Sequence, residues 1–478
     1  MSLDLTLLSR LHQAHVSLLE LRVAKLLERH GFDAIAVHSG RPAMRTSSDD
    51  QFWPLRPTPH FAHWLPLAEA DCALLVEPGR KPRLLRPRHT SYWEGRPESE
   101  TDHFWGPFEV REMGGPDELA QHLSPGRRWA FVSDELGAAG RLGLEGRARE
   151  NPPALVAALD ELRTRKTEYE ALCLAEANRR AGLGHEAVRA AFASGDKAEL
   201  ELHLSFLGAT AQDDAETPYK NIVALDAHAA TLHHVTYGKK PASAQSLLLD
   251  AGATFAGYGS DVTRTWVKGT SAGAQSFAQL LALHEAMQQR LCAAVRVGLA
   301  YEELHDDSHR QVAQILRELG VAKGLSVDEL VDGLVTRAFY PHGLGHSLGL
   351  QVHDVGCGLV KPRVENPWLR NTSIIAEGQV FTIEPGIYFI EALLAPLRAG
   401  PHGRGIDWAL VAELARFGGV RIEDDLLVGS GPGSALGSGS ALGPAAATPI
   451  GAASPVRFAT RNFTREVLPV GGGPAQVQ

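Results

Sequence analysis

Only four cysteines occur in 478 residues, Cys72, Cys173, Cys292 and Cys357, and no two stand at the close spacing of a zinc knuckle or a redox pair. A disulfide scaffold and a thiol-redox enzyme are thereby set aside, and the reducing cytosol is the default compartment. Long apolar runs are missing as well. Nothing approaches the ~20 residues of a membrane helix, and the opening MSLDLTLLSRLHQ mixes polar with apolar residues where a signal peptide needs an apolar centre. Positive charge is not in excess: 47 Lys+Arg against 56 Asp+Glu leave a formal charge of −9. That balance gives no electrostatic ground for nucleic acid or an anionic membrane as partner. What remains is a soluble chain, long enough for two domains and a substantial core.

The chain reads as α/β, or α+β, in two parts. Apolar residues at helical spacing (Leu8, Leu11, Val16, Leu19, Val23, Leu26) predict a helix from Thr6 to about His30, stopped by Gly31. DAIAVHSG, CALLVEPG and WAFVSDE read as strands, giving a smaller α/β domain over residues 1–160 in which nothing is catalytic by itself. A stretch from Lys166 to about Phe192, rich in Ala, Glu, Leu and Arg and free of proline, predicts a long helix at the start of a second domain, residues 161–478. Within that domain, residues 429–455 are mainly Gly, Ser, Ala and Pro with no charged or aromatic residue, the composition of a disordered insertion. VRFATRNFTREV then regains strand-like alternation, so the insertion is expected to interrupt a terminal hairpin.

Candidate chemistry is concentrated in the second part. SLLLDAGATFAGYGSDVTRTW reads as two strands around a turn at Ala256 and Gly257. A two-residue loop sets Phe255 opposite Tyr258, Gly252 opposite Asp261 and Asp250 opposite Thr263. Asp250 and Asp261 then share a face diagonally, roughly 7 to 8 Å apart at the backbone, a span that suits two cations about 3.5 to 4 Å apart. Two solvent-facing acids on an exposed hairpin would give the same pattern. The apolar setting argues for burial, and two buried carboxylates need a counter-charge.

PHGLGHSLGLQVHD places His342, His346 and His353 among Gly343, Gly345 and Gly349, which suit close backbone approach. Any one of these histidines fits a satisfied core residue; three within about a dozen positions suit ligand and proton-transfer roles better. Glu384 ends the apolar run QVFTIE before Pro385, and Glu423 ends GGVRIE with Arg421 two residues earlier on the same face. Four carboxylates and an imidazole make an oxygen-rich set for hard divalent ions, Mn²⁺ first, with Co²⁺ or Zn²⁺ as alternatives.

Asp250 and Asp261 in DAGATFAGYGSD, His346 in HGLGH, Glu384 in TIEPG and Glu423 in GGVRIED resemble the pattern of the pita-bread metallopeptidases. The likeness is closest to the bacterial Xaa-Pro dipeptidases, the prolidases related to organophosphorus acid anhydrolase. It runs over roughly residues 160 to 428, and is looser in the first domain and in NFTREV. The resemblance implies two metals per subunit. Asp250 would chelate one, Asp261 and Glu423 would bridge, and His346 with Glu384 would complete the second. A hydroxide between the metals would be the nucleophile and Glu384 the proton shuttle.

The same resemblance assigns His233 to substrate hydrogen bonding and His353 to stabilisation of the tetrahedral intermediate. It sets His342 and Tyr219 in the pocket, with Arg421 beside them. Arg370 would meet the free carboxylate of a C-terminal proline, and Asp50 of the first domain the substrate amino group of a neighbouring subunit's site, in a homodimer. His234 departs from the pattern, since relatives usually carry Tyr there. An aminopeptidase P acting on longer Xaa-Pro peptides would share all five ligands but have little need of Arg370. A side activity on organophosphate fluorides and a metal-free, non-peptidase relative are further alternatives.

Overall fold

A computed structural model describes residues 3–93, 95–358, 360–429 and 460–468. The insertion expected over 429–455 lies, apart from Gly429, outside the described residues. The chain divides into two compact units, Met1–Leu172 and Cys173–Gln478.

In the first unit, the helix read from apolar spacing spans Leu5–His30. The Asp4 side chain caps its first amide groups, and Gly31 closes it in the left-handed region at φ 79°. The three expected strands are β1 (Ala34–His38), β2 (Ala73–Val76) and β5 (Trp129–Val132). Three more were not read from the sequence: β3 (Arg83–Pro87), β4 (Glu109–Met113) and β6 (Ala148–Glu150). Together they form one sheet in the order β4-β3-β2-β1-β5-β6. Alternation along β1 sends Ile35 and Val37 to one core, shared with Val16, Leu19 and Val23 of the first helix. Ala34 and Ala36 go to the opposite core, with Phe131 and Leu142.

The second unit contains β7 (Ile222–Leu225), β8 (Ser246–Asp250), β9 (Thr254–Phe255), β10 (Tyr258–Gly259), β11 (Thr263–Val267), β12 (Val380–Ile383), β13 (Gly386–Tyr388), β14 (Gly419–Arg421), β15 (Asp424–Leu427) and β16 (Arg461–Asn462). β11-β8-β7 and β12-β15-β16 are three-stranded antiparallel sheets, and β13 pairs with β14. Single bridges, Thr263 to Glu423 and Ser347 to Phe381, tie these pieces at the centre. Helices Ala272–Ala294 and Tyr301–Glu318 pack Phe277, Leu280, Leu304 and Val312 against Phe381, Ile383 and Leu426. Helices Glu168–Ala193 and Glu199–Thr210 cover the other sheet through Val188, Phe192, Leu202 and Phe206. The central strands are buried on both faces, so polar groups on them must find partners within the protein.

Two expectations need correction here. Among the described residues of VRFATRNFTREV, Arg461–Asn462 pair antiparallel with Leu427 and Leu426 of β15, the hairpin expected across the insertion, but Phe463–Val467, read as strand, is a helix. The Asn462 side chain accepts from the Arg465 amide and so starts that helix, which local alternation could not reveal. Glu423 does not end a strand; it sits at the junction between β14 and β15, and the chain runs on.

Candidate metal centre

The hairpin register is the one the two-residue turn requires. Tyr258 pairs with Phe255 and Thr263 with Asp250, and the bonds from Ala251 N to Val262 O and from Ser260 N to Ala253 O carry that register past Asp261. Ala256 and Gly257 both adopt positive φ at the turn. Gly252 is obligatory, because a Cβ there would strike the Ser260 carbonyl and the Pro218 ring. Asp250 and Asp261 are both buried and both receive the Tyr219 hydroxyl, at 2.7 and 2.6 Å from their Oδ1 atoms.

His346 follows Gly345, where any side chain would collide with the Thr382 carbonyl, so its backbone packs directly on β12. His346 Nδ1 donates to the Ser347 carbonyl at 3.1 Å. Nε2 therefore faces Asp261 Oδ2 at 3.3 Å and Glu384 Oε1 at 3.4 Å. Ligand atoms of Asp261, His346 and Glu423 lie within 4.8 Å of one another. Thus residues separated by up to 173 positions, from Asp250 to Glu423, converge around one centre.

The electrostatics of this centre are unbalanced. Arg421 donates from Nη2 to Asp250 Oδ2 at 2.6 Å, from Nη1 to Tyr388 Oη at 2.8 Å and from Nε to Thr263 Oγ1 at 3.2 Å. Thr263 in turn donates to Glu423 Oε2 at 2.7 Å, whereas the buried Glu423 Oε1 has no hydrogen-bond partner among the described residues. Fully ionised, the four carboxylates would exceed the single guanidinium by three negative charges. Burial, reinforced by Asp261, Glu384 and Asp250, pushes the Glu423 carboxyl well above its usual range. Burial also raises Asp250, with the Asp261 charge adding to it and Arg421 opposing. For His346 burial disfavours the charged form, yet Asp261 and Glu384 outweigh it and lift the imidazole to about 9. The centre attracts positive charge, and its donor set of one imidazole with carboxylate oxygens, one of them unpartnered, fits divalent metal ions.

The five candidate ligands line a cavity of about 970 Å³ together with Tyr219, His233, His342, His353, Arg370 and Arg421. His353 stacks edge-on against His346 with ring centroids 4.4 Å apart. His342 Nε2 meets Tyr388 Oη at 2.8 Å, and its Nδ1 contacts the Gly343 carbonyl at 2.9 Å. Arg370 is solvent-exposed at the cavity wall. Asp50 is the one candidate in the first unit. It is exposed, in a segment closed by the Met44–Phe52 bridge, and accepts from Gln51 Nε2 at 3.1 Å. His234 is turned to Glu199, with Nε2 2.9 Å from its Oε2.

Several contributors escaped the sequence reading. Thr263 joins Arg421 to Glu423 and was legible as the partner of Asp250 in the hairpin register. Tyr388 links His342 to Arg421, and no local signal marks it. Asp425 Oδ2 receives the Asp261 amide at 3.0 Å and Asn178 Nδ2 at 2.8 Å, while Asp424 pairs with Arg264 and Arg465. These two acids directly follow Glu423 and brace the centre from behind.

Fold and site together define a metallopeptidase. Residues 172–430 match the model of metallopeptidase family M24, and residues 10–160 that of the Xaa-Pro dipeptidase N-terminal domain. The chain belongs to the Xaa-Pro dipeptidase branch of metallopeptidase family M24. It is 36% identical over 431 residues to an Xaa-Pro dipeptidase of Pseudoalteromonas atlantica, covering 88% of this chain and 96% of that one. It is 40% identical over 425 residues to one of Marinobacter nauticus, covering 87% and 95%. Among solved structures, the aminopeptidase PepP of Pseudomonas aeruginosa superposes with a TM-score of 0.67 over 95% of each chain at 20% identity. Aminopeptidase P from E. coli with the inhibitor Pro-Leu gives 0.67 over 95% of each chain at 21% identity, so both share the pita-bread fold.

Proposed function

We propose that this chain hydrolyses Xaa-Pro dipeptides with a free C-terminal proline. Two divalent ions, Mn²⁺ in the first place, would be held by Asp250, Asp261, His346, Glu384 and Glu423. The observation that carries the reading is the unpartnered, buried Glu423 Oε1 beside Asp261 and His346, an arrangement that an added cation would satisfy. Such a metal pair, when bound, lowers the pKa of a water to about 7 and polarises the scissile carbonyl.

The chain's own residues supply the rest. Arg421 and Tyr219 fix the two oxygens of Asp250, and Thr263 fixes one of Glu423, so the ligands are set before substrate arrives. Glu384, on the cavity wall with Oε1 3.4 Å from His346 Nε2, would accept a proton from the attacking water and pass it to the leaving nitrogen. The prolyl nitrogen carries no hydrogen, so this delivered proton is what lets it leave as an amine. His353 and His233, on the cavity wall, would donate to the charge developing on the carbonyl oxygen and to the substrate. Arg370 would pair with the prolyl carboxylate, and His342 would line the same pocket.

A homodimer, with Asp50 reaching a neighbouring subunit's substrate, belongs to the same proposal. Met44, Phe52, Trp53, Tyr92 and Trp93 are exposed on the first unit and support an interface there. Four buried cysteines with no close-spaced pair support a cytosolic location. The test is cleavage of Ala-Pro and Ala-Pro-Ala by protein stripped of metal and reloaded with Mn²⁺, Co²⁺ or Zn²⁺. Ala-Pro should be preferred, and Arg370→Ala should raise its KM by about tenfold or more, the loss of a charge-assisted pair. Equal use of the tripeptide, unaffected by Arg370→Ala, would assign the chain to longer peptides.

A further inference from the structure

His233 stands on the connection between β7 and β8, residues 226–245, whose Ala229 and Leu232 pack with Ile222, Leu248 and Tyr388 and whose far end is tied by the Gln245 and Ser246 amides donating to Asp226 Oδ1. A carboxylate outside the cavity ties the part that carries His233. Glu199, the first residue of helix Glu199–Thr210, is 2% exposed and accepts four hydrogen bonds. Its Oε1 receives the Leu225 amide at 3.0 Å and His228 Nδ1 at 2.7 Å. Its Oε2 receives the Gly238 amide at 2.7 Å and His234 Nε2 at 2.9 Å. Leu225 and Gly238 mark the two ends of segment 226–237, so a single carboxylate closes its mouth while two imidazoles from within it complete the grip. The rings of His228 and His234 stack with centroids 4.5 Å apart and planes 26° from parallel.

Three side chains of metal-ligating type meet here, but each imidazole nitrogen is directed at a different carboxylate oxygen. Their ligand atoms lie within 4.8 Å of one another, but both nitrogens are already paired with the carboxylate oxygens, which disfavours a shared cation. Each oxygen instead takes one backbone and one imidazole N–H. Burial works against the charge of Glu199, yet these donors hold its carboxyl below the usual range. Gly238 is held a second time by its carbonyl, which accepts from the Leu200 amide at 3.1 Å.

We infer that Glu199 is a positioning residue for His233: it clasps segment 226–237, with His228 and His234 as the imidazole half of the clasp, and so fixes the histidine that faces substrate. This rests on the proposed dipeptidase reading for its kinetic part only. Glu199→Gln replaces one accepting oxygen by an NH₂ group and loses the two bonds made there. His234→Phe keeps the ring stack and loses one bond.

The experiment combines hydrogen exchange, metal content and a double-mutant cycle on the full chain. Amide exchange over 225–238 should quicken about tenfold or more in Glu199→Gln and by a smaller factor in His234→Phe, with metal content unchanged in both. KM for Ala-Pro should rise about tenfold in Glu199→Gln with kcat altered far less. In a His233→Ala background the same substitution should change kcat/KM less than about twofold. If Glu199→Gln fails to fold, His234→Phe carries the same cycle with smaller effects. Unchanged exchange, or effects that simply add to those of His233→Ala, would overturn the inference. A fall in bound metal in His234→Phe would overturn it in favour of a cation site. Should the wild type not cleave Ala-Pro, the dipeptidase reading fails, and exchange still decides whether Glu199 clasps the segment.

Discussion

Removing metal should make the stability of this protein fall behind that of the loaded form as pH rises. Burial, then the Asp261 and Asp250 charges, lifts the Glu384 carboxyl from its ordinary 4.5 to about 7 against the pull of His346 and Arg421. A carboxyl that grips its proton more tightly folded than unfolded stabilises the fold fully below its unfolded pKa. It loses that contribution as pH climbs through the folded value. A shift of about 2.5 units is worth about 3 kcal/mol, of which about 2 kcal/mol disappears between pH 5 and pH 7.5. Asp250 and Glu423, raised for the same reason, act in the same direction. Bound divalent cations require these groups ionised, so the loaded protein escapes the loss. Urea midpoints of chelated and Mn²⁺-loaded protein, compared at each pH, isolate the centre because titration elsewhere is common to both. The stability difference should widen by at least about 2 kcal/mol from pH 5 to pH 7.5. A difference that stays constant over that range would refute the reasoning.

Two further outcomes follow from groups that do not touch the ions. Thr263→Val removes the donor to Glu423 Oε2 and the acceptor for Arg421 Nε, leaving two buried charged groups each short of a bond. It should destabilise the protein by about 1 to 3 kcal/mol and lower kcat, measured by urea unfolding and Ala-Pro turnover. In the first unit, burial pushes His12 down to about 3 and His63 down to about 4. Both therefore stay neutral in the fold while the unfolded chain protonates near 6.5. Stability is full above that pH and drains as pH falls towards 4, by about 2 kcal/mol per histidine at pH 5. His63→Gln should make the acid limb of a stability-against-pH curve shallower, and an unchanged slope would count against the assignment.

Local rules carried the sequence reading a long way where the determinants are local. The two-residue turn at Ala256–Gly257 fixed which residues face each other from Phe255 out to Thr263, because side-chain alternation leaves no freedom once the turn is set. Helix Leu5–His30 and its Gly31 stop were equally legible. The missed strands have local reasons: β3 ends in proline, and β4, Glu109–Met113, is an exposed, charged edge strand without alternation to read. The carboxylates were singled out by their apolar surroundings. Their support was not, because Tyr388, Asp425 and Asn178 act through contacts between distant segments that no spacing encodes. The helix at Phe463–Val467 belongs to this class, since Thr464 and Arg465 are directed at Asn178 and at Asp424.

Metal content per chain tests the central claim most directly. Purified protein loaded with Mn²⁺ and passed through a desalting column should carry close to two ions per chain. Asp261→Asn and Glu423→Gln, both still folded, should carry fewer than one and lose turnover. Two ions retained in either variant, or full Ala-Pro cleavage by protein free of metal, would contradict the account.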